Sequence, residues 1–546
     1  MRRGTGRLAA LALAGLLTLT AAACSSSNHP AADPASNRHG GSMRLAVSGI
    51  TGDLDPVDVV ATDQSQMVLL DLLADGLTSI DPATEQPLPA LALKWSADPA
   101  GTTWTFELAD GVMFSDGTAL TASSVVASLE HVAHQSGTLA GARLDVIAGS
   151  REFATGSVDH ISGLSAPDDH TVRITTSAPQ ADLPALLASP LYGVVKAPEP
   201  PASATGTTDT TVVTPSTTWT IGAGPFRVAD RGGTLADATT LVRSDGSTAQ
   251  LDSIDLVRVA DAAGGLAAVQ QGKADWAAAP PGTPASSGAG FAVQQAPFGA
   301  EDFFGMNLAS PTFANPQFRQ AIVKAVDRTK VVAAGLAGVV PGPAVVPPGV
   351  PGSSADPCGD PCTFAPDQAK ALLAQAFPDG QVPLVEVDTS DGAGDIFAAG
   401  YVRDQLIAAG IPSTVRVFGF ADYQHFVTTG NQQLFHTGWV GLAPTAGAYL
   451  DPLFRSNSLD NLTAFNVPDV DAKLAAAAAE PDATARSADY AAIEQTILGQ
   501  SPVLPLGSYR SSVAMVSGVQ DYAQGLDGTF DVDRVWVGTG ATPSTG

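Results

Sequence analysis

The sequence predicts a mixed α/β protein built from several compact units. Predicted strands and helices alternate along the chain from a first strand near Met43 to a last one near Val537. Apolar residues make up 45 % of the 546 residues and charged residues 15 %, with 55 glycines and 40 prolines, which is typical of a loop-rich globular protein. A chain of this length has room for two to four domains, so a small disulfide scaffold is excluded.

The first 23 residues have the pattern of a secretory signal peptide. Arg2, Arg3 and Arg7 precede an apolar run from Leu8 to Ala23 that ends in small residues. The run is short for a hydrocarbon layer of about 30 Å, and no later segment is longer and equally apolar. The sequence therefore predicts an exported protein whose mature chain does not cross a membrane.

Residues 24–41 are predicted to be a lipidated, flexible tether. The run Ala21-Ala22-Ala23-Cys24 resembles a bacterial lipobox, in which the cysteine is acylated, although Ala21 stands where leucine is commonest. The polar stretch that follows has no apolar periodicity, as expected for a flexible linker. This predicts an anchor at the outer face of the cell membrane; the alternative is ordinary secretion with a free Cys24.

The charge of the chain excludes nucleic acid as a partner. Lys and Arg number 27 against 54 for Asp and Glu, a net charge of −27. Without residues 1–23 the net charge becomes −30. Such a surface repels phosphate backbones.

Cys358 and Cys362 are predicted to form one local disulfide. They lie four residues apart in a Pro/Gly-rich loop, and an exported protein meets an oxidising environment. A metal site there would need two further ligands, and the neighbouring sequence offers only carboxylates. We expect no metal and no cofactor.

The first part of the chain alternates short strands and helices. Thr121 is placed to cap a helix whose Val125, Leu129 and Val132 share one face. Residues 197–216, rich in Pro, Thr and Ala, are predicted to be a surface loop or linker. The other predicted elements here are strands at 43–47, 104–108, 171–175, 222–228 and 254–259, and helices at 66–77 and 264–272.

The second part contains the most regular predicted helix. It begins after Asn315-Pro316, where Asn can cap and Pro can occupy the first turn, and Phe318, Ile322 and Val326 belong to one apolar stripe. The other predicted elements are helices at 366–377, 396–409, 470–480 and 484–498, and strands at 414–418, 503–506 and 534–537.

Several short motifs occur in a characteristic order over residues 43–510. They are Leu54-Asp55-Pro56, Lys94-Trp95-Ser96, Thr103-Trp104-Thr105-Phe106, residues 111–117 and 222–226, Phe318-Arg319-Gln320-Ala321-Ile322, residues 325–328, Gly438-Trp439, and residues 501–505. Together they resemble the peptide/nickel-binding family of extracellular solute-binding proteins, the receptors of ABC importers.

The resemblance implies a bilobal fold of the periplasmic-binding-protein type, with a ligand cleft between the lobes and an extra accessory domain. Lobe I is expected to comprise residues 42–80, 215–300 and 500–540. The accessory domain, residues 81–214, is inserted in lobe I, and residues 301–499 form lobe II.

The resemblance also suggests where a ligand binds. Gly438, Trp439, Val440, Gly441 and Leu442 are expected to form one wall of the cleft, with the Trp439 ring and the backbone of Val440 and Gly441 as contacts. Val60, Ala61 and Thr62 match a family segment on the opposite side. Leu442 stands where family members that bind free peptides have an Asp that neutralises the ligand's amino terminus, so this chain lacks the usual anchor.

Four histidines leave a second interpretation open. His131 and His134 lie three apart on one predicted helix and fit either a solvated face or a metal pair. His425 and His436 flank the segment before Trp439 and fit either ordinary hydrogen-bonded positions or ligands of haem or a metal chelate.

The sequence therefore predicts a monomeric receptor that captures extracellular oligopeptides and delivers them to an ABC permease with its ATPase subunits. A receptor for a non-peptide solute such as haem or a metal chelate is the alternative. A secreted hydrolase is more distant, because the chain has no G-x-S-x-G, H-E-x-x-H, Walker or G-x-G-x-x-G motif. We expect no enzyme activity.

Overall fold

The computed structural model describes residues 40–538 except 51–53, 136, 197–220, 231–234, 236–238 and 289. The predicted signal peptide, Cys24, nearly all of the tether and the loop predicted at 197–216 lie outside the described residues.

Strands and helices alternate along the described chain, as the sequence predicts. The strands are β1 Ser42–Val47, β2 Thr78–Asp81, β3 Gln86–Pro89, β4 Ala92–Ala97, β5 Thr103–Leu108, β6 Leu164–Asp168, β7 Thr171–Thr175, β8 Phe226–Val228, β9 Thr240–Arg243, β10 Ser253–Arg258, β11 Trp276–Ala278, β12 Ser286–Ser287, β13 Phe291–Met306, β14 Val339–Pro341, β15 Val385–Ser390, β16 Ser413–Phe418, β17 Leu434–Val440, β18 Val503–Val516, β19 Val519–Gln520 and β20 Trp536–Val537. The helices are α1 Gln64–Leu73, α2 Ala122–His134, α3 Leu139–Arg143, α4 Ser150–Ala154, α5 Leu183–Leu186, α6 Ala262–Gln270, α7 Pro316–Ala325, α8 Arg328–Gly335, α9 Pro366–Ala376, α10 Ala393–Ala409, α11 Phe420–Phe426, α12 Gly447–Phe454, α13 Pro468–Ala479 and α14 Ala483–Leu498.

One large sheet runs through most of the chain in the order β16-β15-β17-β13-β18-β11-β1-β10-β9-β8. Its centre is an antiparallel ribbon of the two long strands β13 and β18. β17 pairs with the carboxyl part of β13, and β11 pairs with the carboxyl part of β18. Because β13 and β18 are antiparallel, these neighbours attach at opposite ends of the ribbon. We call β8–β11 with β1 the first half of the sheet and β15–β17 the second half.

The middle of the ribbon, residues 297–301 and 507–510, is irregular. The register shifts between Pro297 and Glu301 and again between Asp302 and Phe303. Here β14 pairs with β18, so that Pro341 lies opposite Gly507. An irregular two-stranded connection between two separately packed halves is a suitable position for a hinge.

Each half of the sheet has its own apolar core. One buried cluster includes Leu45 of β1 and Met67 of α1, and another includes Phe318 of α7 and Val387 of β15. The predicted start of α7 is confirmed, because the Asn315 side chain accepts the N–H of Gln317 and Pro316 is the first helical residue. Its apolar stripe is buried as predicted.

A second sheet, in the order β4-β5-β7-β6, lies within the range predicted for the accessory domain. Phe106 of β5 and Val125 of α2 belong to the same buried cluster as Leu45, so one apolar core continues from this sheet into the first half. The exact domain boundaries stay a prediction. We call the elements from β4 to α5 the accessory region.

Cys358 and Cys362 are joined by a disulfide and are both buried in the core of the second half. Within the part of the chain that the structure describes, none of the helices combines the length and the hydropathy that crossing a bilayer requires.

Candidate functional site

The carboxyl ends of two sets of parallel strands converge on the middle of the ribbon. In the first half β1 is parallel to β10 and β11, and Ala278 at the carboxyl end of β11 lies opposite Val513. In the second half β17 is parallel to β15, and its last residue, Val440, lies opposite Ala300. Both sets therefore point towards the irregular middle. Ligands of open α/β sheets bind beyond the carboxyl ends of the strands, so this region is the candidate ligand site.

The predicted wall residues of the second half lie at this edge. Gly438, Trp439 and Val440 end β17, and Gly441 and Leu442 follow. The Trp439 ring is half-buried, and its Nε1 donates to the carbonyl of Ala448 at 2.8 Å, which fixes the ring.

The backbone of this wall has fewer free hydrogen-bond donors than the sequence suggests. The N–H of Gly441 donates to the carbonyl of Gly299 at 3.0 Å, so that donor is already used within the molecule. A Cβ at Gly441 would lie 2.4 Å from the Tyr449 ring, which is why glycine stands there. Leu442 is buried against the core of the first half, so its side chain supplies apolar contact and no charge.

Val60, Ala61 and Thr62 lie at the edge of the first half, in the segment between β1 and α1. Val60 is 56 % exposed and Ala61 is buried. The turn is closed by a hydrogen bond from the N–H of Asp63 to the carbonyl of Val60, and Asp63 also caps α1. This segment thus follows the carboxyl end of β1, and the predicted wall lies at the carboxyl end of β17.

The accessory region contacts the second half through polar side chains that the sequence did not single out. Arg143, the last residue of α3, lies over the Trp439 ring with Cζ 4.9 Å from the ring centroid and forms an ion pair with Asp460. Asp182 forms an ion pair with Arg486 at 2.7 Å, with both side chains largely buried. The accessory region therefore covers part of the predicted wall at Trp439.

The histidines weighed as metal or haem ligands are mostly engaged. His131 Nε2 lies 3.0 Å from Asp55. His436 is buried, with Nε2 2.8 Å from Asp302 and Nδ1 3.5 Å from Asp395. Burial lowers the pKa of His436, but the charge of Asp302 outweighs it and the net shift is upward. With Nε2 facing Asp302 and Nδ1 facing Asp395, neither ring nitrogen of His436 is open to a metal ion. No cluster of metal-binding side chains occurs among the described residues.

A cavity of about 670 Å³ opens beside the predicted wall and includes Gly441 and Leu442 in its lining. The hairpin β2–β3, the end of α1 and residues 525–533 form the other walls. Eight of the described lining side chains are carboxylates, and none of them is Lys, Arg or His. Such a cavity attracts positively charged groups.

Several carboxyl groups of this cavity have raised pKa values. Burial raises the pKa of Asp75 to about 7, with a further contribution from Asp533. Burial and the charge of Asp527 raise the pKa of Glu85 to about 8. The pKa of Asp71 is raised well above its ordinary value, chiefly by burial.

We expect the protein to melt at a lower temperature at pH 8 than at pH 5. A carboxyl whose pKa is raised by folding binds more protons in the folded state, so its stabilising contribution is lost as pH rises from about 4 through the folded value. Asp75 and Glu85 place this loss below about pH 8, and the raised pKa of His436 acts in the same direction. For a chain of this size the fall is on the order of a few degrees by differential scanning calorimetry.

Asp75→Asn should raise the melting temperature at pH 8 and leave the value at pH 5 nearly unchanged. Asp110→Asn is the matched control, because that side chain lines the same cavity but is 98 % exposed. Equal melting temperatures at the two pH values in the unmodified protein would contradict the buried protons.

A family model and several known proteins match most of this chain. The family model described as bacterial extracellular solute-binding proteins, family 5 middle region, matches residues 86–461. The glutathione-binding protein GsiB of Escherichia coli (strain K12) is 26 % identical over 482 residues, covering 85 % of this chain and 88 % of the relative.

Solved structures share the fold at low identity. The clavulanic acid biosynthesis oligopeptide binding protein 2 superposes with a TM-score of 0.73 at 22 % identity, covering 92 % of this chain and 96 % of the other. The periplasmic binding protein DppA of Helicobacter pylori, in complex with the peptide STSA, superposes with a TM-score of 0.64 at 20 % identity, covering 92 % and 98 %. Most of this chain is therefore similar in fold to proteins of this type.

Proposed function

Because the chain belongs to family 5 of the bacterial extracellular solute-binding proteins, which are binding proteins and not enzymes, we propose that it captures an oligopeptide and delivers it to an ABC permease. The observation that carries the proposal is the convergence of the strand ends of both halves on the middle of the ribbon. GsiB, named for glutathione, and DppA, with its bound peptide, support a peptide-like solute.

The ligand contacts follow from the two edges. We assign the ring of Trp439, the end of β17 at Gly438 and Val440, and the residues Gly441 and Leu442 to one side of the ligand. Val60, Ala61 and Thr62 form the other side. A flat aromatic surface gives a large apolar contact at little entropic cost, and the same surface accepts different side chains.

The amino end of a bound peptide needs a negative partner that Leu442 does not supply. Leu442 and the carboxylates of the 670 Å³ cavity line one continuous space. An ammonium group near Leu442 therefore faces Asp75, Glu85 and their neighbours. A cation that enters the cavity lowers the raised pKa values of these groups and so favours their charged forms.

Binding of peptides is tested directly with the mature protein. Native mass spectrometry of the protein as purified should show an excess mass of a few hundred daltons from retained cargo, of the size that such cavities enclose. Calorimetry against peptides of about two to eight residues, and against glutathione, should show saturable binding. No binding to any of them would remove the peptide assignment.

We also propose that Cys24 carries the lipid that holds the protein at the outer face of the membrane, as a monomer beside its permease and ATPase subunits. The apolar run before Cys24 and the polar stretch after it support this anchor. Incorporation of a labelled fatty acid in cells, lost in Cys24→Ser, tests it; an unlabelled mature chain released from the membrane would contradict it.

A further inference from the structure

The guanidinium of Arg143 lies on the proposed ligand wall without a full set of acceptors. One terminal nitrogen pairs with Asp460, and the plane lies over Trp439. The Nε atom is buried, and no hydrogen-bond acceptor for it exists among the described residues. The side chain is 16 % exposed. A buried donor left without an acceptor is destabilising, so the site favours an additional acceptor.

The position of Arg143 is fixed by contacts within the protein. Arg143 ends helix α3, and Thr138 caps that helix through the N–H of Gly141. The Trp439 ring beneath the guanidinium is itself held by the carbonyl of Ala448. A cation on an aromatic face is oriented as well as attracted, so the free edge of the guanidinium has a defined direction.

The chemistry of the free edge selects a carboxylate. The Nε–H and the neighbouring Nη–H of arginine form a planar fork that matches the two oxygens of a carboxylate. Asp460 already bonds one side of this fork, and its side chain is 36 % exposed, so it can return to water at little cost.

We propose that Arg143 recognises the carboxylate of the bound solute, which replaces Asp460 on the guanidinium. This inference rests on the proposed function and adds the chemical group by which the solute is selected. Asp460 then acts as a substitute for the ligand's carboxylate in the empty protein, and it competes with the ligand for Arg143. The acidic cavity beside Leu442 and the cation at Arg143 together suit a solute that carries both charges.

The experiment compares the same peptides with and without a free carboxylate. A pool of tripeptides is prepared once as free acids and once as carboxyl-terminal amides, and native mass spectrometry identifies which sequences the mature protein retains. Calorimetry then measures the affinity of the best sequence in both forms. We expect the acid to bind about tenfold more tightly than the amide or better, as charge-assisted hydrogen bonds predict.

Three variants separate recognition from structural support. Arg143→Gln should reduce the ratio of the two affinities to near one, and Arg143→Lys should give an intermediate ratio. Asp460→Asn should bind the acid more tightly than the unmodified protein, because the competitor loses its charge. Arg151→Gln is the control, since Arg151 also lies in the accessory region but is 59 % exposed and pairs with Asp145.

The outcomes distinguish recognition of the carboxylate by Arg143 from peptide binding as such. Because any change in folding or closure affects acid and amide alike, the ratio isolates the carboxylate contact. Equal binding of both forms by the unmodified protein, or an unchanged ratio in Arg143→Gln, overturns this inference and leaves the proposed function standing. Binding of neither form by the unmodified protein overturns this inference, and the proposed function falls with it only if no peptide of about two to eight residues and no glutathione binds either.

Discussion

Replacing Gly507 with alanine is expected to lower the free energy of unfolding by about 3 kcal/mol, since overpacking and an unfavourable backbone conformation act together. Gly507 lies in the irregular middle of the ribbon, opposite Asp302 on one side and Pro341 on the other. A Cβ there would stand 2.1 Å from the carbonyl oxygen of Val340, and φ is +156°. The backbone of β14 must move away, which removes its pairing with β18.

Gly400→Ala is the matched control for this substitution. Gly400 lies inside α10, and a Cβ there meets nothing within 4 Å. The same change should therefore stabilise the protein, by roughly 0.5 to 1 kcal/mol. Calorimetric melting of both variants checks the pair. A melting temperature of Gly507→Ala equal to that of the unmodified protein would show that the strands do not approach as closely as the structure indicates.

Trp439→Ala is expected to weaken peptide binding about 30-fold or more, the loss of roughly 2 kcal/mol that buried aromatic anchors give. The ring is the largest apolar surface among the proposed contacts, and it also supports Arg143. Trp439→Phe keeps a flat ring and loses only the hydrogen bond to Ala448. It should retain most of the affinity, as measured by calorimetry with the peptide found in the native spectra.

The control for this prediction is Trp95→Ala, the same chemical change on β4. Trp95 packs on Phe106 with ring centroids 6.4 Å apart, within the accessory sheet. It should lower the melting temperature and leave affinity unchanged. A full affinity in Trp439→Ala would remove Trp439 from the ligand wall and make it a core residue.

The local elements of the fold were predictable because their signals are local. A short stretch of sequence contains the cap of α7, the proline at its first position and the apolar stripe that Phe318 and Ile322 share. The same holds for Thr121 at the start of α2, whose side chain accepts the N–H of Ser124 as a capping residue does.

The two long strands of the ribbon were not predicted at their true length. β18 was expected only at 503–506, and β13 was not predicted at all, because a stretch with Glu301 and Asp302 does not read as a buried strand. Burial of these carboxyls depends on distant partners: Ser508 donates to Glu301, and Tyr509 donates to Asp302 at 2.9 Å. The irregular middle of the ribbon is therefore visible only in three dimensions.

Some residues of the candidate site were predictable from the sequence and others were not. The segments at Val60 and at Trp439 were found through motifs, which record sequence and not geometry. The contact of Arg143 with Asp460 joins residues 317 positions apart, and an arginine on a short helix has no sequence pattern that marks it. The acidic cavity likewise collects carboxylates from distant segments.

The central claim is that the solute lies between the converging strand ends of the two halves. Hydrogen–deuterium exchange of the mature protein, empty and saturated with its retained peptide, tests it most directly. We predict slower exchange in the ligand complex at residues 55–63 and 437–445 together, with no change in β8 and β9 at the far edge of the sheet. Protection confined to one of these two segments, or found only elsewhere, would contradict the account.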